Sequence, residues 1–440
     1  MSEPDMKPET KEPESGGRES FATRLERYAR LLVRVGAGLQ PEQRLYMTYE
    51  PANREVALAV AAAAWEAGAG HVTTFVVDPR HHALLIRHGR PEQIEMAHAE
   101  EQRFWNEAVA NRAALISLRG DEDPKLMPEL ATELPDRHAI FTRSASTKGK
   151  VYLQHGVNRG LCPWVVAGAA TPGWGRLVFP ELPPEQACAK LWDVIFELTG
   201  ADSPHGIELA EEKDRRLHGR RAELDALEIR EVHIHGGGSD LRVGLSEAAR
   251  WLGGSKKTAF GQKFQANVPT EENFTTPDRR ATEGRLAATM PFRTRTGLLV
   301  KDLVMYFERG RLIRFEAGEG AAGFARWIDL DEGARYLGEL ALVGADSPIA
   351  KSGLFFEHTL FDENAWSHAA IGQAYTVGLR GGEDMSPARL AEHGFNNSTI
   401  HTDIMYGSPE VSITATRSRE GEVPLIVRGE WAERFRDPAV

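Results

Sequence analysis

Two cysteines in a chain of 440 residues, Cys162 and Cys188, are too few for a disulfide framework or a thiolate metal site. A reducing compartment, the cytoplasm, is the setting this favours. Long apolar runs are missing as well: the longest, Val56 to Ala64, is Ala-rich and too short to cross a bilayer, so it reads as a helix packed on a sheet. The first 20 residues are polar and lack an apolar h-region, which makes them a disordered tail instead of a signal peptide or anchor. A net charge of −11 leaves no general cationic surface for nucleic acid or an anionic membrane. Three catalytic signatures are also absent: the HExxH zinc helix, the GxSxG nucleophile elbow and the GxxxxGK[ST] phosphate loop.

What remains is an ordinary globular composition, 41% hydrophobic and 27% charged, on a chain longer than one hydrophobic core usually serves. Phe21, Leu25, Tyr28, Leu31, Leu32 and Val35 recur at helical spacing up to Gly36 and Gly38. Arg44 to Tyr49 reads as a strand, Asn53 to Gly68 as a helix, and His71 to Val77, Ala114 to Leu118 and His138 to Thr142 as further strands. This alternation predicts an α/β layer with a largely parallel sheet. Pro183-Pro184-Glu185 starts a helix that runs to Leu198, and a polar helical stretch follows between Gly200 and Arg230. From Ile229 the sequence turns to short strands broken by glycine, with hairpins over Ile234 to Leu245 and over Asp302 to Phe315, the latter turning at Arg309-Gly310. The predicted organisation is a tail over 1–20, an α/β N-terminal domain over 21–205, and an α+β catalytic domain over 206–440.

Four patches in the second half gather groups able to hold metal: Thr270-Glu271-Glu272, Gly338-Glu339-Leu340, Asp362 through His368 to Tyr375, and His401-Thr402-Asp403. His401 and Asp403 are two apart in a β-prone segment, so a strand points both to one face. The alternative is a polar pair on an edge strand. His368 and Tyr375, seven apart, would share a stripe on a helix that Asn364 caps; the alternative there is a helix whose inner face merely includes a polar pair. A glutamate pair, taken singly, is usually a solvated face. Together, two Glu, two His, one Asp and one Tyr exceed the three protein ligands of a single catalytic zinc and match two ions about 3.5–4 Å apart. Carboxylate and imidazole donors suit Zn, Co, Mn or Mg. His235-Gly236-Gly237-Gly238 reads as a tight hairpin, and His81-His82 as exposed histidines at a turn after Asp78-Pro79.

At these patches the chain resembles the aminopeptidase T / aminopeptidase S family of metallopeptidases. The likeness starts near Leu25-Glu26-Arg27-Tyr28 and runs almost to the C-terminus. It includes Val178-Phe179-Pro180, Asn267-Val268-Pro269-Thr270-Glu271-Glu272 and Thr359-Leu360-Phe361-Asp362-Glu363-Asn364-Ala365. The resemblance implies metal ligands at one glutamate of the Glu271-Glu272 pair and at Glu339, His368, Tyr375, His401 and Asp403; Glu271 is assigned to metal and Glu272 to the general base, and the resemblance by itself does not separate the two. It also implies a catalytic domain with a β-barrel-like core and a homodimer enclosing the active site. Trp366-Ser367 departs from the small residues usual before His368, a change that would reshape the pocket. The implied reaction removes the first residue of peptides with a free N-terminus through a water activated between two divalent ions. Glu272 or Glu339 accepts the proton, and Tyr375 is a ligand or an oxyanion donor. Two other readings fit the ligand types, a metal-stabilised peptide-binding scaffold without activity and a two-metal phosphoesterase. An arginine-lined anion pocket would mark the phosphoesterase, and none can be placed from sequence.

Overall fold

The computed structural model describes residues 19–148, 152–157, 159–294, 297–417, 421–436 and 438. The predicted tail, up to residue 18, lies outside them. Ser20 caps helix α1 (Phe21–Leu31), its hydroxyl accepting the Thr23 N–H. Strand β1 (Arg44–Tyr49) leads into α2 (Arg54–Glu66), β2 (His71–Val76) and, further on, β3 (Ala114–Arg119) and β4 (Trp164–Gly168). These strands pair in parallel in the order β4-β3-β1-β2, and Asn267–Val268 returns from the second half of the chain to extend the β4 edge. Leu45, Met47, Ile116, Leu118, Val165 and Ala167 face α1, α2 and α3 (Pro184–Thr199) in one core. Tyr46, Leu115 and Trp164 face Phe104 and Trp105 on the other side. Burial on both faces is why these strands read as near-continuous apolar runs.

Two expectations fail in this half. His138 to Thr142 is not a strand but part of the helix Pro135–Lys148, where Pro135 opens the first turn. Phe141 of that helix packs against Ile86, Ile94 and Leu130, so helix packing overrides the β-prone composition. His81 and His82 are likewise in a helix, Pro79–His88, whose N-terminus the Asp78 carboxylate caps by accepting the N–H groups of Arg80 and His81.

After the long helix α4 (Gly206–Ala226) the chain is mostly antiparallel sheet. Ile229–Gly236 and Ser239–Leu245 form the predicted hairpin, its tight turn permitted by positive φ at Gly237 and Gly238. The hairpin Val304–Glu308 and Arg311–Glu316 also forms, with a turn at Arg309-Gly310. Both belong to an eight-stranded sheet that runs from Arg311–Glu316 to Glu430–Trp431 without its edges meeting. The barrel-like core is therefore corrected: among the described residues no sheet closes. An open antiparallel sheet packs instead against a second, five-stranded one, whose order is β9 (His401–Met405), β8 (His368–Gly372), β7 (Leu337–Leu342), β6 (Asn273–Thr275) and β5 (Leu252–Gly253). No helix among the described residues is long and apolar enough to cross a membrane.

Candidate metal centre

The five-stranded sheet has two chemically different faces. Leu340, Leu342, Ala369, Ile371 and Ile404 point into the core shared with the eight-stranded sheet. Register places Glu339, Ala370 and Asp403 in one row across the opposite face, with Ala341, His368 and Met405 in the next and Gly372 beside His401. Period-two alternation on three neighbouring strands thus converts separate sequence patches into one cluster, and the small Ala341, Ala370 and Gly372 leave room above the sheet. His401 and Asp403 share a face as predicted. His368 and Tyr375 do not share a helix: His368 begins β8, and Tyr375 follows that strand in the loop before a short helical turn. Ladder bonds to β7 and β9 impose the strand on an alanine-rich segment.

Asn364 does not cap a helix. Its side-chain oxygen accepts the Glu271 N–H at 2.7 Å and its amide donates to the Leu360 carbonyl at 2.9 Å, so it ties the Glu271-Glu272 segment to the Thr359–Asp362 turn. That turn is docked on the parallel sheet. Phe361 packs so closely against Gly168 that a Cβ there would lie 2.7 Å from its ring, and the Asp362 carboxylate accepts the N–H groups of Phe356 and His358, both at 2.9 Å. Burial raises the Asp362 carboxyl to about 7.

The site residues divide clearly. Glu272 lies 3.3 Å from Nε2 of His368, while His401 Nε2 lies 3.3 Å from both Glu339 and Asp403. Two groups of three carboxylate and imidazole donors result, Glu272/Glu339/His368 and Glu339/His401/Asp403, each within 4.8 Å, with Glu339 common to both. Glu271 is not brought to this cluster; its buried carboxylate pairs with Lys213 of α4. Tyr375 packs its half-exposed ring, tilted, 5.0 Å from the His401 ring. Both imidazoles are oriented from behind, by the Trp366 carbonyl at 3.3 Å from His368 Nδ1 and the Gln373 carbonyl at 2.7 Å from His401 Nδ1. Carbonyls only accept, so each Nδ1 carries the proton and Nε2 faces the cluster.

Sequence reasoning gave no role to Glu363, which sits beside the cluster with Asn267 donating to its carboxylate at 3.2 Å. Burial, then the charges of Asp403 and Glu272, raise its carboxyl well above the ordinary range. Its place inside the Asp362-to-His368 patch and inside the Thr359-to-Ala365 string was the available signal. Burial also raises Glu339. Although burial alone would depress the imidazoles, the surrounding carboxylates hold His368 up at about 10 and His401 well above its usual value. Four carboxylates and two imidazoles share this one buried cluster, and the oxygen and nitrogen donor set fits divalent ions of the Zn, Co, Mn or Mg kind.

A cavity of about 1950 Å³ opens above the cluster. Its walls carry cations that could not be placed from sequence, among them Arg159, Arg215, Arg221, Arg250, Lys256 and Lys263. Neither Trp366 nor Ser367 is among the residues that line it. Ser367 turns inward and its hydroxyl exchanges hydrogen bonds with the Val343 backbone.

A family model described as thermophilic metalloprotease (M29) matches residues 21–431. The chain belongs to the M29 metalloprotease family. Among its curated relatives, aminopeptidase T of Thermus thermophilus is 36% identical over 413 residues, covering 94% of this chain and 99% of that protein. Aminopeptidase AmpS of Bacillus subtilis is 32% identical over 414 residues, covering 94% and 100%. The solved structure of wild-type AmpT from Thermus thermophilus matches with a TM-score of 0.84 at 35% identity, over 94% of this chain and 100% of that one. M29 membership agrees with the resemblance carried by the Asn267 and Thr359 strings.

Proposed function

We propose that this M29 protein is an aminopeptidase that works with two divalent ions, one held by Glu272, Glu339 and His368 and the other by Glu339, His401 and Asp403. The observation that carries the reading is the pair of donor groups sharing Glu339 at the floor of an open cavity. The names of the curated relatives support peptide substrates with a free N-terminus. Bound ions would polarise the scissile carbonyl and make water acidic enough to attack near neutral pH.

The chain's own groups do the rest. With Glu272 and Glu339 both taken as ligands, Glu363 is the remaining carboxylate of the cluster and serves as the general base that accepts the water proton and returns it to the leaving amine. Asn267 fixes its orientation. Tyr375, whose ring packs on His401, would donate its hydroxyl to the developing oxyanion. In this reading residues 21–205 and 206–440 act as two domains that wall the cavity from opposite sides. The scarcity of cysteine supports a cytoplasmic setting, and the family resemblance supports a homodimer, which sedimentation analysis tests.

The deciding experiment is release of free amino acid from a short peptide by chelator-treated protein, before and after separate addition of Zn, Co, Mn or Mg. Stepwise N-terminal release on reloading is the expected result; tight metal uptake without turnover would instead favour a binding scaffold. The cationic wall is the one observation that favours a phosphoesterase, so p-nitrophenyl phosphate is assayed beside leucine p-nitroanilide. Turnover of the phosphate ester alone overturns the reading.

A further inference from the structure

The cavity above the carboxylate cluster continues along a wall of opposite charge. At about 1950 Å³ it exceeds the ~300–1,000 Å³ usual for a small-ligand pocket, so it has room for more than one amino acid. Part of the wall is a two-stranded ribbon, Lys256–Lys257 paired with Lys263–Phe264. Several of the wall's cations are neutralised in place: Lys263 Nζ lies 2.7 Å from Asp214, Arg250 lies 2.9 Å from Glu383, and Arg293 pairs with Glu357.

Lys256 differs from these three. Its ammonium stands 5.5 Å from the Trp164 ring and 5.6 Å from the Phe274 ring, and among the described residues it forms no ion pair. Phe274 occupies the site face of β6, opposite Ala341 of β7, and its ring packs 6.1 Å from Tyr375, which in turn packs on His401. Two aromatic rings, Phe274 and Tyr375, therefore stand between Lys256 and His401 of the cluster. The charges that act on its ammonium are those of Glu272 and Glu339, yet it pairs with neither. A half-buried ammonium without a counter-ion is under-compensated, and a bound anion recovers that cost. Two aromatic faces support the cation without neutralising it.

We propose that Lys256 is a specificity residue that captures the free α-carboxylate of a short peptide, so that the site recognises a zwitterion whose N-terminus lies at the cluster. Extended peptide spans ~3.3–3.6 Å per residue. A carboxylate one or two residues beyond the cleaved bond, in a di- or tripeptide, then matches an ammonium that still feels Glu272 and Glu339. This inference rests on the aminopeptidase reading above and adds to it the class of substrate, short peptides with an unblocked C-terminus.

The test compares metal-reloaded protein on Leu-Gly and Leu-Gly-Gly with the same peptides as C-terminal amides, in the wild type and in Lys256→Met and Lys256→Arg. The wild type is expected to prefer the free acids by about ten- to a hundredfold in kcat/KM, mainly through KM, the range of one charge-assisted contact. Lys256→Met brings the acid-to-amide ratio close to one, and Lys256→Arg keeps part of it. Equal wild-type rates on acid and amide overturn the inference without any variant, while hydrolysis of both still upholds the peptidase reading. A uniform loss of kcat on acid and amide in Lys256→Met also overturns it and moves Lys256 to the scissile carbonyl. If the reloaded wild type cleaves neither form, the aminopeptidase reading falls and takes this inference with it.

Discussion

Glu271 and Glu272 are adjacent carboxylates with different neighbours, Lys213 and His368, which makes their exchange for glutamine a sharp test of the proposed roles. Glu271 is 4% exposed and pairs with Lys213, whose side chain retains 23% exposure. Removing one partner of a fully buried ion pair costs about 3–5 kcal/mol, and the partial solvation of Lys213 lowers the expected cost of Glu271→Gln to about 1–3 kcal/mol. Glu272→Gln instead removes a carboxylate 3.3 Å from His368 and leaves two strong donors in that group. Losing a group that merely supports a ligand costs ~10–100-fold in metal affinity, so loss of a ligand should exceed that range. Metal content after dialysis, leucine p-nitroanilide hydrolysis and urea unfolding then separate the variants. Glu272→Gln should lose one ion and nearly all turnover. Glu271→Gln should keep both ions and stay within about tenfold of the wild-type rate while unfolding at lower urea. The double variant Lys213→Met/Glu271→Gln should recover part of the lost stability, because no charge is then left buried alone. Retention of both ions by Glu272→Gln, with loss of one from Glu271→Gln, would refute the assignment.

Glu363→Gln should lower kcat by about 10²–10⁴-fold with metal content unchanged; loss of an ion in elemental analysis would make Glu363 a ligand instead. Because the metal-free cluster holds His368 at about 10 and His401 well above its usual value, ions must displace protons, and metal affinity should rise about tenfold or more per unit between about pH 6 and pH 8. Calorimetric titration in buffers of different ionisation enthalpy checks this, and a binding heat independent of buffer would contradict it. Burial raises Glu50 from 4.5 to about 7 while its carboxylate accepts the Glu122 N–H at 2.8 Å, so the folded chain holds this proton more tightly than the unfolded one. That contribution to stability is present in acid and lost as pH rises from about 4.5 to about 7, so Glu50→Gln should gain up to about 3 kcal/mol over the wild type across that window. Parallel urea curves for the two proteins at about pH 5 and pH 8 would contradict it.

Local periodicity was enough wherever one element decides the outcome. Helix α1, strands β1 to β3, the helix α3 and both glycine hairpins follow from spacing and turn chemistry, because the rules they obey act within a few residues. His401 and Asp403 on one face belong to the same class, since alternation along a strand is a local property. The Asn267 and Thr359 strings, which carried the resemblance to the metalloprotease family, also hold Asn267 and Asn364, whose side chains bond to Glu363 and to the Glu271 N–H.

Other features depend on residues far away in the chain, and these only the tertiary structure decided. His368 is on a strand because β7 and β9 flank it, although HAAIG alone is equally compatible with a helix. Phe141 is helical because of what it packs against. The direction of Glu271 is set by Lys213, 58 residues earlier, and by Asn364, 93 residues later, which leaves Glu272 for the cluster. Glu363 and Lys256 gain their significance from the cavity that α4, the short ribbon and the five-stranded sheet enclose together. Composition and spacing determine which donors the chain owns and how neighbours in one element are directed; the sign of the charge each donor faces is a property of distant segments brought together, and that is what makes a donor a ligand, a base or an anchor.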